Sequence, residues 1–224
     1  MMAAFLSLAQ LAGDWKGALP DGGAMIEQKH DGIRAMRFTG ISGATRLWSR
    51  NGHVIEGTAH ILHRLALLEK VAGEQLMFDG EFIVDGTLAA TKAWFERGWK
   101  TGAEAGVYHL FDCLPLADWQ RGGCDIPLYQ RKAYLAALWQ AVEDQGLSWD
   151  WRPGSRGRDD GASPVLLVAD QWVSDARDAM DFTRRVWATG GEGAMIKDAM
   201  SPYRRKRSDA WQKLKPGGPW ARAA

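Results

Sequence analysis

Apolar and polar residues along this chain alternate in short bursts, and only three stretches fall into the three-to-four spacing of a helix. Ala24–Lys29 (AMIEQK) and Ile33–Thr39 (IRAMRFT) read as strands on either side of the turn-prone Asp31-Gly32, a hairpin signal. Thr45–Ser49 reads as another, closed by the turn Asn51-Gly52. Ile61, Leu62, Leu65 and Leu68 have helical spacing that stops near Gly73. Strands follow at 76–85 and 107–114. A second helix carries Leu135, Leu138, Trp139 and Val142 on one stripe, with Gly146 as its C-terminal cap. Residues 153–161 (PGSRGRDDG) form a charged surface loop, and 164–173 a further strand. Ser174 or Asp175 caps a third helix with Ala179, Phe182 and Val186 inward. Residues 193–197 and 211–215 are the last strands, leaving only 216–224. Strands and helices are mixed without regular alternation. That predicts an α+β fold of two largely antiparallel sheets with flanking helices, in a single domain over 1–224.

Composition narrows the class. With 46% apolar residues in 224, a sizeable core forms. The net charge of +1 gives no global attraction to nucleic acid, so any such footprint is local. Cys113 and Cys124 fit neither a disulfide framework nor a metal site, which points to a reducing, cytoplasmic setting. No run is long enough to span a membrane. The twelve tryptophans are read mostly as core filler, with base stacking as their other use.

Several chemistries are excluded. There is no GxxxxGK[ST] loop: Gly190-Gly191-Glu192-Gly193 lacks its lysine and hydroxyl. No GxSxG elbow occurs. His60 and His63 share a helix face but have no third ligand at metal spacing. What stands out is charge in apolar strands. Lys29 ends a strand before a tight turn. Glu81 sits beside Phe82, Ile83 and Val84, a costly place unless it faces a polar site. Glu192 and Lys197 bracket Gly193-Ala194-Met195-Ile196, and Lys213 and Lys215 alternate with Trp211 and Leu214. An ordinary lysine, pKa about 10.4, is protonated at neutral pH; as a nucleophile it needs neighbouring cations and carboxylates holding magnesium. Nucleotidyl transfer asks for this set.

In order and spacing these segments resemble the covalent nucleotidyltransferase superfamily, most closely the ATP-dependent DNA ligases. Lys29-His30-Asp31-Gly32-Ile33-Arg34 is similar to the KxDGxR signature around the adenylated lysine. Ser49-Arg50-Asn51-Gly52 is similar to SRxG, and Phe78-Asp79-Gly80-Glu81 to the DGE segment. Leu110-Phe111-Asp112 is similar to the segment whose aromatic stacks on adenine. Residues 192–197 resemble EGxxxK, and 211–215 WxKxK. The resemblance implies a nucleotidyltransferase (ATP-grasp-like) catalytic domain acting in DNA repair, replication or recombination. It implies that Lys29 becomes lysyl-AMP, with Glu27 near the adenine amino group and Phe111 on the base. Arg34 and Arg50 contact the nucleotide or the phosphate at a nick. Glu81 contacts ribose or metal, Glu192 binds metal, Lys197, Lys213 and Lys215 hold the α-phosphate, and Asp31 assists sealing. ATP and Mg²⁺ are the implied cofactors and nicked double-stranded DNA the partner, with the chain a monomer. An RNA ligase is the alternative, then a capping guanylyltransferase or a non-catalytic nucleotide- or nick-binding remnant.

Relatives of this kind follow WxKxK with an oligonucleotide-binding (OB-fold) barrel, whereas nine residues follow Lys215 here. The expectation is a domain without a C-terminal OB-fold, slow in self-adenylation unless a separate protein supplies that function. Arg204-Arg205-Lys206-Arg207 is a candidate nucleic-acid contact, and Arg156 and Arg158 a weaker one. The short segment before Lys29 favours ATP over NAD, and the compact length suggests a phage or prophage source.

Overall fold

The computed structural model describes residues 7–40, 42–147 and 163–217. The predicted loop at 153–161, with Arg156 and Arg158, and most of 216–224 lie outside them. Among the described residues, twelve strands and five α-helices follow the order β1 (Leu11–Asp14), β2 (Ala24–Lys29), β3 (Ile33–Thr39), β4 (Thr45–Ser49), α1 (Ala59–Ala72), β5 (Leu76–Ile83), α2 (Leu88–Glu96), β6 (Val107–Pro115) and α3 (Leu116–Gln120). Then come β7 (Gly123–Cys124), α4 (Leu128–Asp144), β8 (Val165–Leu167), β9 (Asp170–Val173), α5 (Ala176–Ala188), β10 (Gly193–Asp198), β11 (Tyr203–Arg204) and β12 (Arg207–Leu214). The first sheet runs β1-β12-β10-β2-β9 and the second β4-β3-β5-β6-β8, with β7 and β11 paired separately. Pairing is antiparallel except β1 with β12 and β6 with β8, which bears out the largely antiparallel α+β expectation.

The alternation of side chains along a strand explains the layering. In the second sheet, Ala35, Phe78 and Leu110 face one core with Leu65 and Leu68 of α1 and Leu135 and Val142 of α4. Their neighbours Met36, Met77 and Phe111 point the other way, into a core shared with Tyr203 and Trp211 from the first-sheet side. Ile26, Ala194, Ile196 and Leu214 face a third core, capped by Ala179 of α5. The order is helices, sheet, sheet, helix. Caps fall where the sequence puts them. Gly73 adopts φ 69° after α1 and Gly146 φ 59° after α4. Asp175, rather than Ser174, caps α5 by accepting from the Asp178 N–H at 2.8 Å.

Two predicted connections are corrected. β2 and β3 do not form a hairpin. β2 pairs with β10 and β9, and β3 with β4 and β5, so Asp31-Gly32 carries the chain from one sheet to the other. The reason lies at Gly32, which packs against β5. A Cβ there would meet the Phe82 carbonyl oxygen at 2.4 Å and a side-chain carbon of Ile83 at 2.7 Å. Likewise 164–173 is two strands, β8 in the second sheet and β9 in the first. The amphipathic α2 and the short α3 were not read from the sequence. Of the described tryptophans, Trp15, Trp119 and Trp211 are buried, whereas Trp99 and Trp172 are exposed.

Candidate active site

The crossover at 30–32 opens a cleft. β10 lies between β2 and β12, with Gly193 opposite Lys29 and Ala194 opposite Leu214. The ends of these three adjacent strands therefore bring Lys29, Glu192 and Lys215 together. The Glu192 carboxylate pairs with Lys29 through one oxygen and with Lys215 through the other. Lys29 Nζ also donates to the His30 carbonyl at 3.3 Å. The approach is close enough to demand glycine next door: Gly193 has φ 146°, and a Cβ would sit 2.1 Å from the Leu214 carbonyl oxygen. Burial alone would raise the Glu192 carboxyl, but hydrogen bonds from Lys215 and Lys29 hold it below the usual carboxylate value.

Above these ends lies a cavity of about 570 Å³, within the range of small-molecule sites. Both sheets line it, with Lys29, Met195 and Lys213 from the first and Arg34, Glu81 and Phe111 from the second. Its floor is a buried ionic network. Glu27 pairs with Lys197 and, at 2.7 Å, with Lys132 of α4, which also reaches Asp170 at 3.1 Å. Burial raises the Glu27 carboxyl, yet the charges of Lys132 and Lys197 win and leave it below its ordinary value. Lys197 is 1% exposed, and burial lowers it to about 8 against the pull of Glu27. Its ammonium lies 4.2 Å from the centre of the Phe111 ring and 4.1 Å from that of Trp211. Arg34 is clamped by both oxygens of buried Asp79, at 2.6 Å each, and its guanidinium stands 4.7 Å from the Phe111 centroid. Asp79 also accepts from the Tyr203 hydroxyl at 2.6 Å. Glu81 accepts from the Gly32 N–H at 3.2 Å, and burial, opposed by Arg34 and Lys29, pushes its carboxyl up to about 7.

The remaining predicted residues divide. Arg50 is exposed and lines the cavity, and Lys213 lines it while pairing with Asp14 at 3.2 Å. Asp31 is exposed and outside the lining. The Arg204–Arg207 cluster is broken up by the fold. Arg204 pairs with Asp125, and Arg205 donates to the Ser7 carbonyl at 2.8 Å and stacks over Trp119. Lys206 is exposed, and Arg207 reaches the cavity and donates to the Ala12 carbonyl. Residues missed from sequence include Lys132 and Asp170 in the floor, and Leu88, Lys92 and Phe95 of α2 in the wall. Trp211 was legible in hindsight. Spaced by two from Lys213 and Lys215, it shares their face instead of alternating with them.

The cavity suits a nucleotide with magnesium on the chemistry of its donors. A buried aromatic and several cations line the cavity; Glu27 and Glu81 are its lining carboxylates, and Glu192 stands behind two lining lysines, Lys29 and Lys215, with which it pairs. Among the described residues no three His, Cys, Asp or Glu gather to hold a metal. A magnesium ion here would rest on one or two carboxylates plus substrate phosphates, its usual manner.

Comparison with known proteins agrees with this geometry. The family model described as ATP dependent DNA ligase domain matches residues 7–215, and the chain belongs to that family. The probable DNA ligase of Kineococcus radiotolerans is 28% identical over 199 residues, 87% of this chain and 34% of that protein. The multifunctional non-homologous end joining protein LigD of Pseudomonas aeruginosa is 31% identical over 201 residues, 88% of this chain and 20% of that one. The chain thus spans about a third and a fifth of the length of these curated relatives. The solved ATP-dependent DNA ligase from bacteriophage T7, in complex with ATP, shares the fold with a TM-score of 0.67 at 18% identity, over 88% of this chain and 63% of that chain. No helix among the described residues is long and apolar enough to cross a membrane.

Proposed function

We propose that these residues form the adenylation domain of an ATP-dependent DNA ligase, with ATP and nicked duplex DNA as substrates. The observation that carries this reading is the juxtaposition of Lys29, Glu192 and Lys215 at one end of a cavity lined by Phe111 and Glu81. The Lys29 ammonium releases a proton to solvent, and the free amine attacks the α-phosphorus of ATP, giving up a second proton to solvent as it becomes the phosphoramidate. A nitrogen–phosphorus bond forms, the bond to the β-phosphate oxygen breaks, and pyrophosphate leaves with the electron pair. Glu192 orients the lysine before attack; held below its ordinary pKa, it is a weak base and serves as a positioning anion. Lys213 and Lys215 face the charge developing on the phosphate. Bound magnesium, on Glu81 or Glu192, would neutralise phosphate charge. Once Lys29 carries AMP its ammonium charge is gone, and Glu192 keeps only Lys215 of its two partners. AMP then passes to a 5′-phosphate, and a 3′-hydroxyl displaces it to close the strand. A separate module or partner that orients the leaving pyrophosphate completes this scheme.

Intact-mass spectrometry after incubation with ATP and Mg²⁺ is the direct test. One AMP per chain is expected, mapping to Lys29 and absent from Lys29→Ala. A chain that never gains AMP under these conditions refutes the reading. GTP in place of ATP tests the capping alternative, and nicked duplexes with DNA or RNA strands separate the two kinds of ligase.

A further inference from the structure

α4 holds the cavity from behind. Near its start Arg131 and Lys132 stand side by side, and each ties the helix to a strand that lines the cavity. Arg131 grips both oxygens of buried Asp112 at 2.9 Å each, directly after Phe111 on β6. Lys132 reaches the other sheet and donates to the Glu27 carboxylate of β2 at 2.7 Å. The Leu128 and Tyr129 N–H groups donate to the Ser201 and Ala199 carbonyls at 3.0 and 3.1 Å, which anchors this end of α4 to the segment after β10. One stretch of helix therefore fixes two cavity walls, Phe111 on the second sheet and Glu27 on the first.

Lys132 is 5% exposed at its side chain and is not part of the lining, whereas Glu27 is. The lysine acts on whatever fills the cavity only through that carboxylate. Glu27 has little freedom. Lys132 takes one of its oxygens and Lys197 the other, and Asp170, its cross-strand neighbour on β9, holds Lys132 at 3.1 Å. These two lysines and two carboxylates balance in charge, so the cluster is neutral without a ligand.

An ionised carboxylate has roughly four lone-pair sites and no proton to give. With the lysines on both oxygens, what remains of Glu27 can receive only a donor. The 6-amino group of a purine is such a donor. A 6-oxo group turns an acceptor toward the same place and is repelled. Lys132 keeps Glu27 in this form: burial pushes the carboxyl toward protonation, and the charge of Lys132 is the largest influence against it, ahead of Lys197. A protonated Glu27 would both donate and accept, and the bias against a 6-oxo base would go.

We propose that Lys132 is a positioning residue for base selection: by pinning the Glu27 carboxylate at the cavity wall, it makes the site take a 6-amino purine nucleotide and refuse a 6-oxo one. This deepens the reading of the cavity as a nucleotide site and rests on it.

Binding of ATP and of inosine triphosphate, which differs from it only at the N1–C6 edge of the base, is measured by tryptophan fluorescence for the parent chain, Lys132→Met and Lys132→Gln. The parent is expected to prefer ATP by more than about tenfold, since a site built to hydrogen-bond a group rejects the analogue lacking it. Lys132→Met removes charge and donor together, and its preference is expected to fall below about threefold on the same ground. Lys132→Gln keeps a donor without the charge and is expected to fall between the two. A merely loosened fold weakens both nucleotides alike and leaves their ratio unchanged. If Lys132→Met does not fold, as loss of one member of a buried pair can cause, Lys132→Gln decides. Equal binding of the two nucleotides by the parent, or the full parental ratio in the folded variants, overturns the assignment. AMP uptake is scored separately. A parent that selects ATP yet never gains AMP sinks the ligase reading and leaves this one standing. A parent that adenylates while its Lys132 variants keep the preference sinks this one alone.

Discussion

Glu27 shows how far a residue's neighbours decide its role. It is 2% exposed, with a buried lysine on each carboxylate oxygen. Removing the carboxylate charge leaves Lys132 and Lys197 buried without their shared counter-ion. Glu27→Gln is therefore expected to lower stability by about 3–5 kcal/mol, the usual cost of breaking a buried pair from one side. Urea unfolding measures it, and a loss below about 1 kcal/mol would mean that water reaches the floor. Glu81 gives a pH signature. Its folded pKa, about 7, lies above the ordinary carboxylate value of 4.5. The folded state therefore binds the proton more tightly than the unfolded one. The resulting stabilisation is fully present below 4.5 and is lost as pH rises to about 7. Thermal unfolding of the parent and of Glu81→Gln should diverge through that window, the parent losing ground as pH rises, and run parallel above it. Parallel curves throughout would show that Glu81 is not desolvated.

At the scale of elements, the crossover at 30–32 is the decisive piece. Individual strands were legible because alternation and flanking turn residues are local properties. Their partners were not, since Asp31-Gly32 is equally compatible with a tight hairpin and with a passage between sheets. Packing decides between them: Gly32 touches the β5 backbone, and the Glu81 carboxylate takes its N–H. Gly32→Ala is expected to cost about 1–3 kcal/mol, as overpacking against backbone does. It should also slow AMP uptake by Lys29 more than tenfold, because Lys29 and Arg34 flank the displaced segment. Denaturant unfolding and the rate of adduct formation test the two parts, and an unchanged rate would show that the crossover tolerates widening. The helices divide in the same way. α1, α4 and α5 announce themselves by apolar stripes and caps. α2 carries a mixed face of Leu88, Lys92 and Phe95, which reads as noise until the cavity beside it is seen.

For the whole molecule, the two sheets share a core and both line the cleft, and the site is assembled from segments at both ends of the chain. The sequence by itself determined the kinds of groups present and their order: a lysine before a turn, carboxylates in apolar strands, paired lysines near the end. It also determined the α+β class, because residue periodicity is local. Only the tertiary structure decided that Glu192 is shared by Lys29 and Lys215, that Glu27 is sealed by Lys132 and Lys197, and that Arg204 and Arg205 are tied to the protein. It alone brought Arg50 and Lys92 to the lining of one cavity, exposed and, among the described residues, with no carboxylate on either side chain. Those outcomes depend on which strands become neighbours and in what register. Several of these pairings, Lys29 with Glu192 and Glu27 with Lys132 and Lys197 among them, join residues far apart in the chain, where hydrophobic pattern carries no information about the partner.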